Sequence, residues 1–264
     1  MTNIKIQILF LLFLITFSQT QGSVEDLISE GDKADEKWDH AKALELYEKA
    51  LSLDSSKAEI LWRISREYSD LGAALTDSKE RKEKGYDQKG VDFSRKAVEL
   101  DPQNPKAHLY LSIALGRWAL TQGAKEKVCL SKEIKDEAQR TLELDPNEHV
   151  AWHILGCWNR EIASLNWIER KFADLFFGGI PKEASLEESV RCLKKAIEIR
   201  PDAIIHHLEL GITYEKLNQT NLAKEEYEKV LKLPIYDSED PIHQKEAGER
   251  LKRIEKWDLD TGRV

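Results

Sequence analysis

Apolar residues recur at helical spacing along most of the chain, in paired segments separated by turns. The second segment of each pair carries one apolar stripe and ends at a turn that contains Asp, Pro or both. These segments are ALELYEKALSLDSS (43–56), GVDFSRKAVELDPQ (90–103), EAQRTLELDPN (137–147), SVRCLKKAIEIRPD (189–202) and LAKEEYEKVLKLPI (222–235). An amphipathic segment precedes each of them. The pattern therefore predicts five helix–turn–helix units.

The residue classes within these units resemble the tetratricopeptide repeat, in which small residues let two helices approach and large ones fill the space between them. The fifth unit matches the repeat pattern best, with Leu210, Gly211, Tyr214, Ala223 and Tyr227. The resemblance implies an all-α fold, a tetratricopeptide-like α-solenoid of about five helix pairs.

The units differ in length, which predicts insertions. The turn residues Ser55, Pro102, Pro146, Pro201 and Ile235 mark equivalent points, and they are 47, 44, 55 and 34 residues apart. Because a typical repeat has about 34 residues, repeats two to four carry roughly 13, 10 and 21 additional residues, between their two helices. A last amphipathic segment over 242–257 predicts a C-terminal helix that caps the final repeat.

The largest insertion is SLNWIERKFADLFFGGIP, residues 164–181. As a helix it would carry one apolar stripe. One interpretation is a structural plug that closes repeat four, because aromatic stripes at helical spacing are commonly core. The other is a lid or membrane-facing ridge over a lipid-sized cavity. The apolar stripe comprises Trp167, Ile168, Phe172, Leu175 and Phe176.

The first 22 residues contain the apolar run ILFLLFLITF (8–17), which follows Lys5 and precedes a polar segment. Ten apolar residues are short for a membrane span and are typical of the core of a signal peptide. We expect residues 1–22 to be an export signal, with an uncleaved membrane anchor or a buried first helix as alternatives. The repeat domain would then cover 23–257, with a short tail at 258–264, in an exported (periplasmic or secreted) or anchored protein.

Charge and candidate chemistry exclude several functions. The chain has 48 acidic and 40 basic residues among 264, which disfavours nucleic acid and anionic membrane surfaces as general partners. Any membrane contact would come through the uncleaved N-terminal segment. Cys129, Cys157 and Cys192 show no CxxC spacing, so neither a disulfide framework nor a zinc site is indicated.

Catalytic and cofactor motifs are also missing from the sequence. It contains no GxSxG motif, no phosphate-binding glycine-rich loop and no Cys/His signature of a catalytic site. His149 and His153 lie four residues apart, a spacing that can hold a metal, but no third ligand is evident. We therefore expect no enzyme, no cofactor and no metal site.

The tetratricopeptide resemblance also implies a concave groove lined by the first helix of each pair. Its expected lining is apolar in the middle with arginines along it, which suits a protein segment or a hydrophobic anionic ligand such as a lipid. Alternatively, the insertions fill the groove. Transferred by register, the lining residues are Trp62, Arg63, Arg66, Leu109, Tyr110, Ile113, Arg117, His153, Ile154, Cys157, Arg160, Leu208 and Ile212.

Three longer segments resemble one family more closely. They are ILWRISREY (60–68), residues 153–202 with LG-x-W and SLxWxE, and LKLPIYDSEDPIHQKEAGERL (231–251). Together they resemble the regulator of microtubule dynamics family over most of residues 24–257. The resemblance implies a helical protein without catalytic activity, associated with microtubules or spindle poles and, in some members, with membrane contact sites and lipid handling.

The leading functional hypothesis is a non-catalytic scaffold that binds a protein segment in its concave groove. One alternative is a carrier of a lipid or another hydrophobic anionic ligand in the same groove. Another is a cytoplasmic microtubule- or spindle-associated factor, which requires that residues 8–17 are not an export signal.

Overall fold

The computed structural model describes residues 22–166, 170–171 and 184–261, without the side chains of 124 and 258–261. Within these ranges the chain forms twelve helices and no strand, so the all-α prediction is confirmed. No helix among them is long and apolar enough to cross a membrane. Two predictions lie outside these ranges: the export signal and the apolar stripe of the fourth insertion. The stripe residues concerned are Trp167, Ile168, Phe172, Leu175 and Phe176.

The helices follow the predicted pairs, with one extra helix in repeat two and one after repeat five. The first six are α1 (Val24–Asp35), α2 (His40–Leu53), α3 (Ala58–Ala73), α4 (Ser78–Lys84), α5 (Tyr86–Leu100) and α6 (Pro105–Ala119). The others are α7 (Ala124–Leu144), α8 (His149–Ala163), α9 (Leu186–Ile199), α10 (Ile204–Lys216), α11 (Thr220–Val230) and α12 (Asp240–Thr261).

Local sequence explains where several helices begin. The side chain of Asn104 accepts hydrogen bonds from the N–H groups of Lys106 and Ala107, and Pro105 occupies the first helical position of α6. Ser23 and Asp26 form a capping box at the start of α1, in which each side chain accepts a hydrogen bond from the other residue's backbone N–H. These caps satisfy N–H groups that have no partner inside the helix.

The two helices of a pair approach closely where a glycine of the first faces a large side chain of the second. A Cβ atom added to Gly31 would lie 2.4 Å from Cε1 of Tyr47, and one added to Gly211 would lie 2.5 Å from Cε1 of Tyr227. Both tyrosine rings are fully buried. The small and large residues that suggested the repeat therefore form its packing contacts.

Two of the three insertions are described, and they take different forms. In repeat two the insertion forms the short helix α4, which ends at Gly85 with φ of 63°, a conformation that favours glycine. In repeat three it adds no element, and α7 instead has 21 residues where α2 has 14. The additional residues of repeat two therefore lie between its two helices, whereas those of repeat three extend the second helix at its start.

The first helices of successive repeats lie next to each other, with α3 against α6, α6 against α8, and α8 against α10. At the C-terminal end α12 packs on α10 and α11 and buries Ala247 and Ile254. The predicted capping helix over 242–257 is thus present and extends further at both ends, from Asp240 to Thr261.

Candidate binding groove

The predicted groove residues lie on α3, α6, α8 and α10, but they are not equally accessible. Ten of the thirteen are half-buried, and the other three, Leu109, Arg160 and Leu208, are buried. Leu109 and Leu208 are only 2% and 1% exposed, and Leu208 belongs to the apolar core around repeat five. These two leucines are therefore packing residues and offer no surface to a partner, because neighbouring helices enclose their side chains.

An aromatic platform joins repeats two and three on this surface. The rings of Trp62 and Tyr110 stack with their centroids 5.1 Å apart and their planes 2° from parallel. The guanidinium carbon of Arg63 lies 4.3 Å from the centroid of the Trp62 ring, within range of a cation–π interaction. Both aromatic side chains remain half-buried. We call Trp62 and Tyr110 the aromatic platform.

The four arginines of the predicted lining are all paired with carboxylates of the same chain. Nε of Arg63 lies 2.8 Å from Asp32, and Nη2 of Arg66 lies 2.9 Å from Asp35. The sequence predicts these arginines as donors for an anionic ligand, but acidic residues of the same chain already hold those donors. The other two pairs are Arg117 with Glu239 and Arg160 with Glu209.

The Arg117 pair shows that the C-terminal segment reaches across to repeat three. Arg117 lies on α6 and contacts both carboxylate oxygens of Glu239, with 2.9 Å between Nη1 and Oε1. The backbone N–H groups of Tyr236 and Asp237 donate to the Asp240 carboxylate at 2.8 and 2.9 Å, which fixes the turn before α12. The chain's own C-terminal segment therefore lies over part of the predicted groove.

A chain of histidines links α8 to α10. His206 lies between His149 and His153. Its Nε2 atom is 2.9 Å from Nδ1 of His149, and its Nδ1 atom is 3.1 Å from Nδ1 of His153. Nε2 of His153 is 3.6 Å from Sγ of Cys157. Burial lowers the pKa of His153 to about 4 and that of His206 to about 2, so the rings are neutral at physiological pH.

The same burial makes Cys157 unreactive. It raises the pKa of the Cys157 thiol well above its usual value, so the thiolate needed for nucleophilic or redox chemistry is not formed at neutral pH. The sequence pair His149 and His153 thus forms part of a neutral hydrogen-bonded chain. The third member, His206, was missed because it lies 53 residues away from His153.

Two other histidines form buried pairs that tie a first helix to its second helix. Nδ1 of His108 lies 2.5 Å from Glu137, and Nδ1 of His207 lies 2.6 Å from Glu226. In both cases Nε2 lies 3.0 Å from the carbonyl oxygen of the proline in the preceding turn, which satisfies the second ring nitrogen. These pairs serve to hold the repeat together.

Another cluster of polar residues lies at the edge of the predicted groove, where α1, α2 and α3 meet. It contains Asp35, His40, Glu67 and Asp70, and one ligand-type atom from each lies within 4.8 Å of the others. Arg66 contacts two of its carboxylates, those of Asp35 and Glu67. No sequence motif indicated this cluster, because its members come from three helices.

Comparison with known proteins places the chain in a family. The model of the family described as "Regulator of microtubule dynamics protein 1-3" matches residues 27–255. The chain belongs to the regulator of microtubule dynamics family. The family predicted from the sequence is therefore confirmed.

Two relatives in this family are 29% and 26% identical to the chain over the aligned residues. Regulator of microtubule dynamics protein 1 of Mus musculus is 29% identical over 230 residues, which cover 86% of this chain and 74% of the relative. Regulator of microtubule dynamics protein 3 of the same species is 26% identical over 195 residues, covering 74% of this chain and 41% of the relative.

Solved structures with the same fold are more distant in sequence. TTC0263, a tetratricopeptide-repeat protein of Thermus thermophilus, is 14% identical to this chain. The match covers 85% of this chain and 98% of the TTC0263 chain, with a TM-score of 0.59. PilF of Pseudomonas aeruginosa is 13% identical, with 88% and 91% coverage and a TM-score of 0.53. These likenesses confirm the tetratricopeptide-type fold of this family member.

Proposed function

We propose that this family member is a non-catalytic scaffold that binds a protein segment on the concave surface of its solenoid, at the aromatic platform of Trp62 and Tyr110. The platform is the observation that carries the proposal, because aromatic and arginine side chains are enriched where protein interfaces gain most of their binding energy. Its stacked rings are held in place by two successive repeats, so little side-chain freedom is lost on binding.

The charges around the platform define the kind of segment that fits. Arg63 and Asp32 form an ion pair beside Trp62, and the Asp32 side chain remains 39% exposed. The surface therefore presents a paired positive and negative charge and carries no excess of positive charge. An amphipathic segment, with an apolar side chain on the rings and mixed polar groups around it, matches this surface better than a strongly anionic head group does.

The test is site-specific photo-crosslinking in the cells from which the protein comes. A photoreactive amino acid at Tyr110 reports on the platform, and one at Glu143, an exposed residue of α7, serves as the control. We expect a crosslinked protein from position 110 that is absent from position 143 and is lost when Trp62→Ala is added to the same chain. The same products from both positions, or products unaffected by Trp62→Ala, would contradict the proposal.

Binding to microtubules is a second candidate function, favoured by the family match over residues 27–255. Relatives in this family carry the name regulator of microtubule dynamics, and a solenoid can present its surface to tubulin as to any other protein. Co-sedimentation with polymerised tubulin at physiological salt tests this directly. Failure of the full chain to pellet with microtubules would rule this candidate out.

The compartment decides between these candidates. We propose, from the apolar run at 8–17, that residues 1–22 direct the chain into or across a membrane. Mass spectrometry of the protein from its native host measures the mature N-terminus. A chain that begins near residue 23 supports export, whereas an intact N-terminus in a cytosolic fraction supports access to microtubules.

A further inference from the structure

Four potential metal ligands converge at the junction of the first three helices. Asp35 ends α1, His40 begins α2, and Glu67 and Asp70 lie one turn apart on α3. Nδ1 of His40 lies 2.9 Å from Oε2 of Glu67, 3.6 Å from Oδ1 of Asp35 and 3.9 Å from Oδ2 of Asp70. A tetrahedral ion with bonds of 2.0 to 2.1 Å separates its ligand atoms by roughly 3.3 Å, which lies within this range.

Arg66 orients two of the carboxylates for such a role. Its Nη2 lies 2.9 Å from Oδ2 of Asp35, and its Nε lies 2.8 Å from Oε1 of Glu67. The other oxygen of each carboxylate is therefore the one that faces His40. Hydrogen bonds of this kind, made by residues outside the ligand set, fix the direction of metal ligands.

The cluster differs from the other buried histidine pairs of the same chain. His108 and His207 each face one glutamate, and each has its second ring nitrogen bonded to a proline carbonyl. His40 faces three carboxylates with one ring nitrogen, and its Nε2 has no hydrogen-bond partner among the described residues. The three carboxylates around one ring nitrogen therefore set this cluster apart from the two structural pairs.

Charge balance favours a cation in this cluster. Three carboxylates carry three negative charges, and Arg66 supplies one positive charge. Hydrogen bonds to Asp35 and Glu67 raise the pKa of His40 to about 10, so the imidazolium alone would leave the cluster with one net negative charge. A divalent cation that takes the place of the Nδ1 proton would bring the cluster to zero net charge. Glu67 is fully buried, so an unbalanced charge there is costly and a cation that balances it is favoured.

We propose that Asp35, His40, Glu67 and Asp70 bind one divalent transition-metal ion. An imidazole ligand favours zinc and similar transition metals over calcium and magnesium, and four ligands near tetrahedral spacing favour Zn²⁺ among them. The ion joins α1, α2 and α3 and so fixes repeat one to repeat two beside the aromatic platform. This site is independent of the proposed partner binding.

The test is calorimetric titration of Zn²⁺ into the full chain, purified without a histidine tag and stripped with a chelator. We expect one strong site per chain in the wild type and at least a tenfold weaker one in Asp70→Asn, because one of four ligands is lost. Asp70→Asn is the informative variant, because no ion pair of Asp70 among the described residues is shorter than 3.9 Å and the amide keeps the size of the side chain. The matched control is His207→Gln, which changes a histidine–glutamate pair elsewhere and should bind Zn²⁺ as the wild type does.

Cobalt(II) distinguishes this site from the histidine chain near Cys157. Co²⁺ held by imidazole and carboxylates shows no thiolate-to-cobalt absorption, whereas Co²⁺ bound at Cys157 does. We expect no such absorption. The proposal is wrong if circular dichroism shows a folded Asp70→Asn that binds Zn²⁺ as tightly as the wild type, if the thiolate absorption appears, or if the wild type shows no strong site.

Discussion

The close approach of α10 and α11 at Gly211 makes a prediction that tests the packing of the repeat. In Gly211→Ala the new Cβ would lie 2.5, 2.9 and 3.0 Å from three ring atoms of Tyr227. That ring is fully buried and its hydroxyl donates to Glu215, so it cannot move aside easily. Overpacking of this kind costs about 1 to 3 kcal/mol, and the better helix propensity of alanine offsets up to about 1 kcal/mol.

The matched control is Gly116→Ala on α6, where an added Cβ would meet no atom within 4 Å. There the substitution should stabilise the protein by about 0.4 to 1 kcal/mol, because only the propensity changes. The assay is thermal unfolding followed by circular dichroism, in which 1 kcal/mol shifts the Tm by about 2 to 4 °C in a chain of this size. A Gly211→Ala variant as stable as Gly116→Ala would refute the helix spacing described here.

Three further predictions concern the groove and its surroundings. Glu239→Gln should destabilise the protein by about 1 to 2 kcal/mol and speed hydrogen exchange at the start of α12, because the half-buried Arg117 loses its partner. Burial lowers the pKa of His206 to about 2, whereas the imidazole of the unfolded chain has a pKa of about 6.5. Because the unfolded state therefore binds the proton at a higher pH than the folded state, the free energy of unfolding should fall as pH drops below about 6.5. His206→Asn should reduce the slope of the free energy of unfolding against pH by about 1 kcal/mol per pH unit, measured in unfolding titrations. Trp38→Asn should stabilise the chain by up to about 1 kcal/mol in chemical denaturation, because Trp38 has φ of 61° where repeat five has Asn218 at 58°.

Each of these has an outcome that would contradict it. Unchanged exchange in Glu239→Gln would mean that the C-terminal segment does not rest on Arg117. Equal pH slopes for the wild type and His206→Asn would mean that the histidine chain is not buried as described. A destabilised Trp38→Asn would mean that the tryptophan ring gains more from its contacts than its backbone conformation costs.

The helix pairs were predictable because their signals are local. Gly31 and Tyr47, like Gly211 and Tyr227, lie sixteen residues apart, within one repeat, and the period-3.6 pattern marks the helices that carry them. For repeat three the sequence predicts only additional length, since a longer helix and a loop insertion change the repeat spacing equally. Local patterns therefore predicted the number and order of the main helices.

The candidate site was less predictable because its contacts are not local. Arg117 and Glu239 are 122 residues apart, and Arg63 and Asp32 are 31 apart, so no pattern in one helix reveals that these arginines are paired. Transfer by register placed Leu109 and Leu208 on the surface of the predicted groove, although both are buried. That the other lining residues bind a partner stays a prediction.

The measurement that tests the central claim most directly is native mass spectrometry of the chain purified from its native host, compared with its Trp62→Ala variant. A scaffold that binds through the aromatic platform should retain a protein that the variant, with an unchanged circular dichroism spectrum, has lost. A bare wild-type chain, a retained lipid in place of a protein, or a complex that survives Trp62→Ala would contradict it.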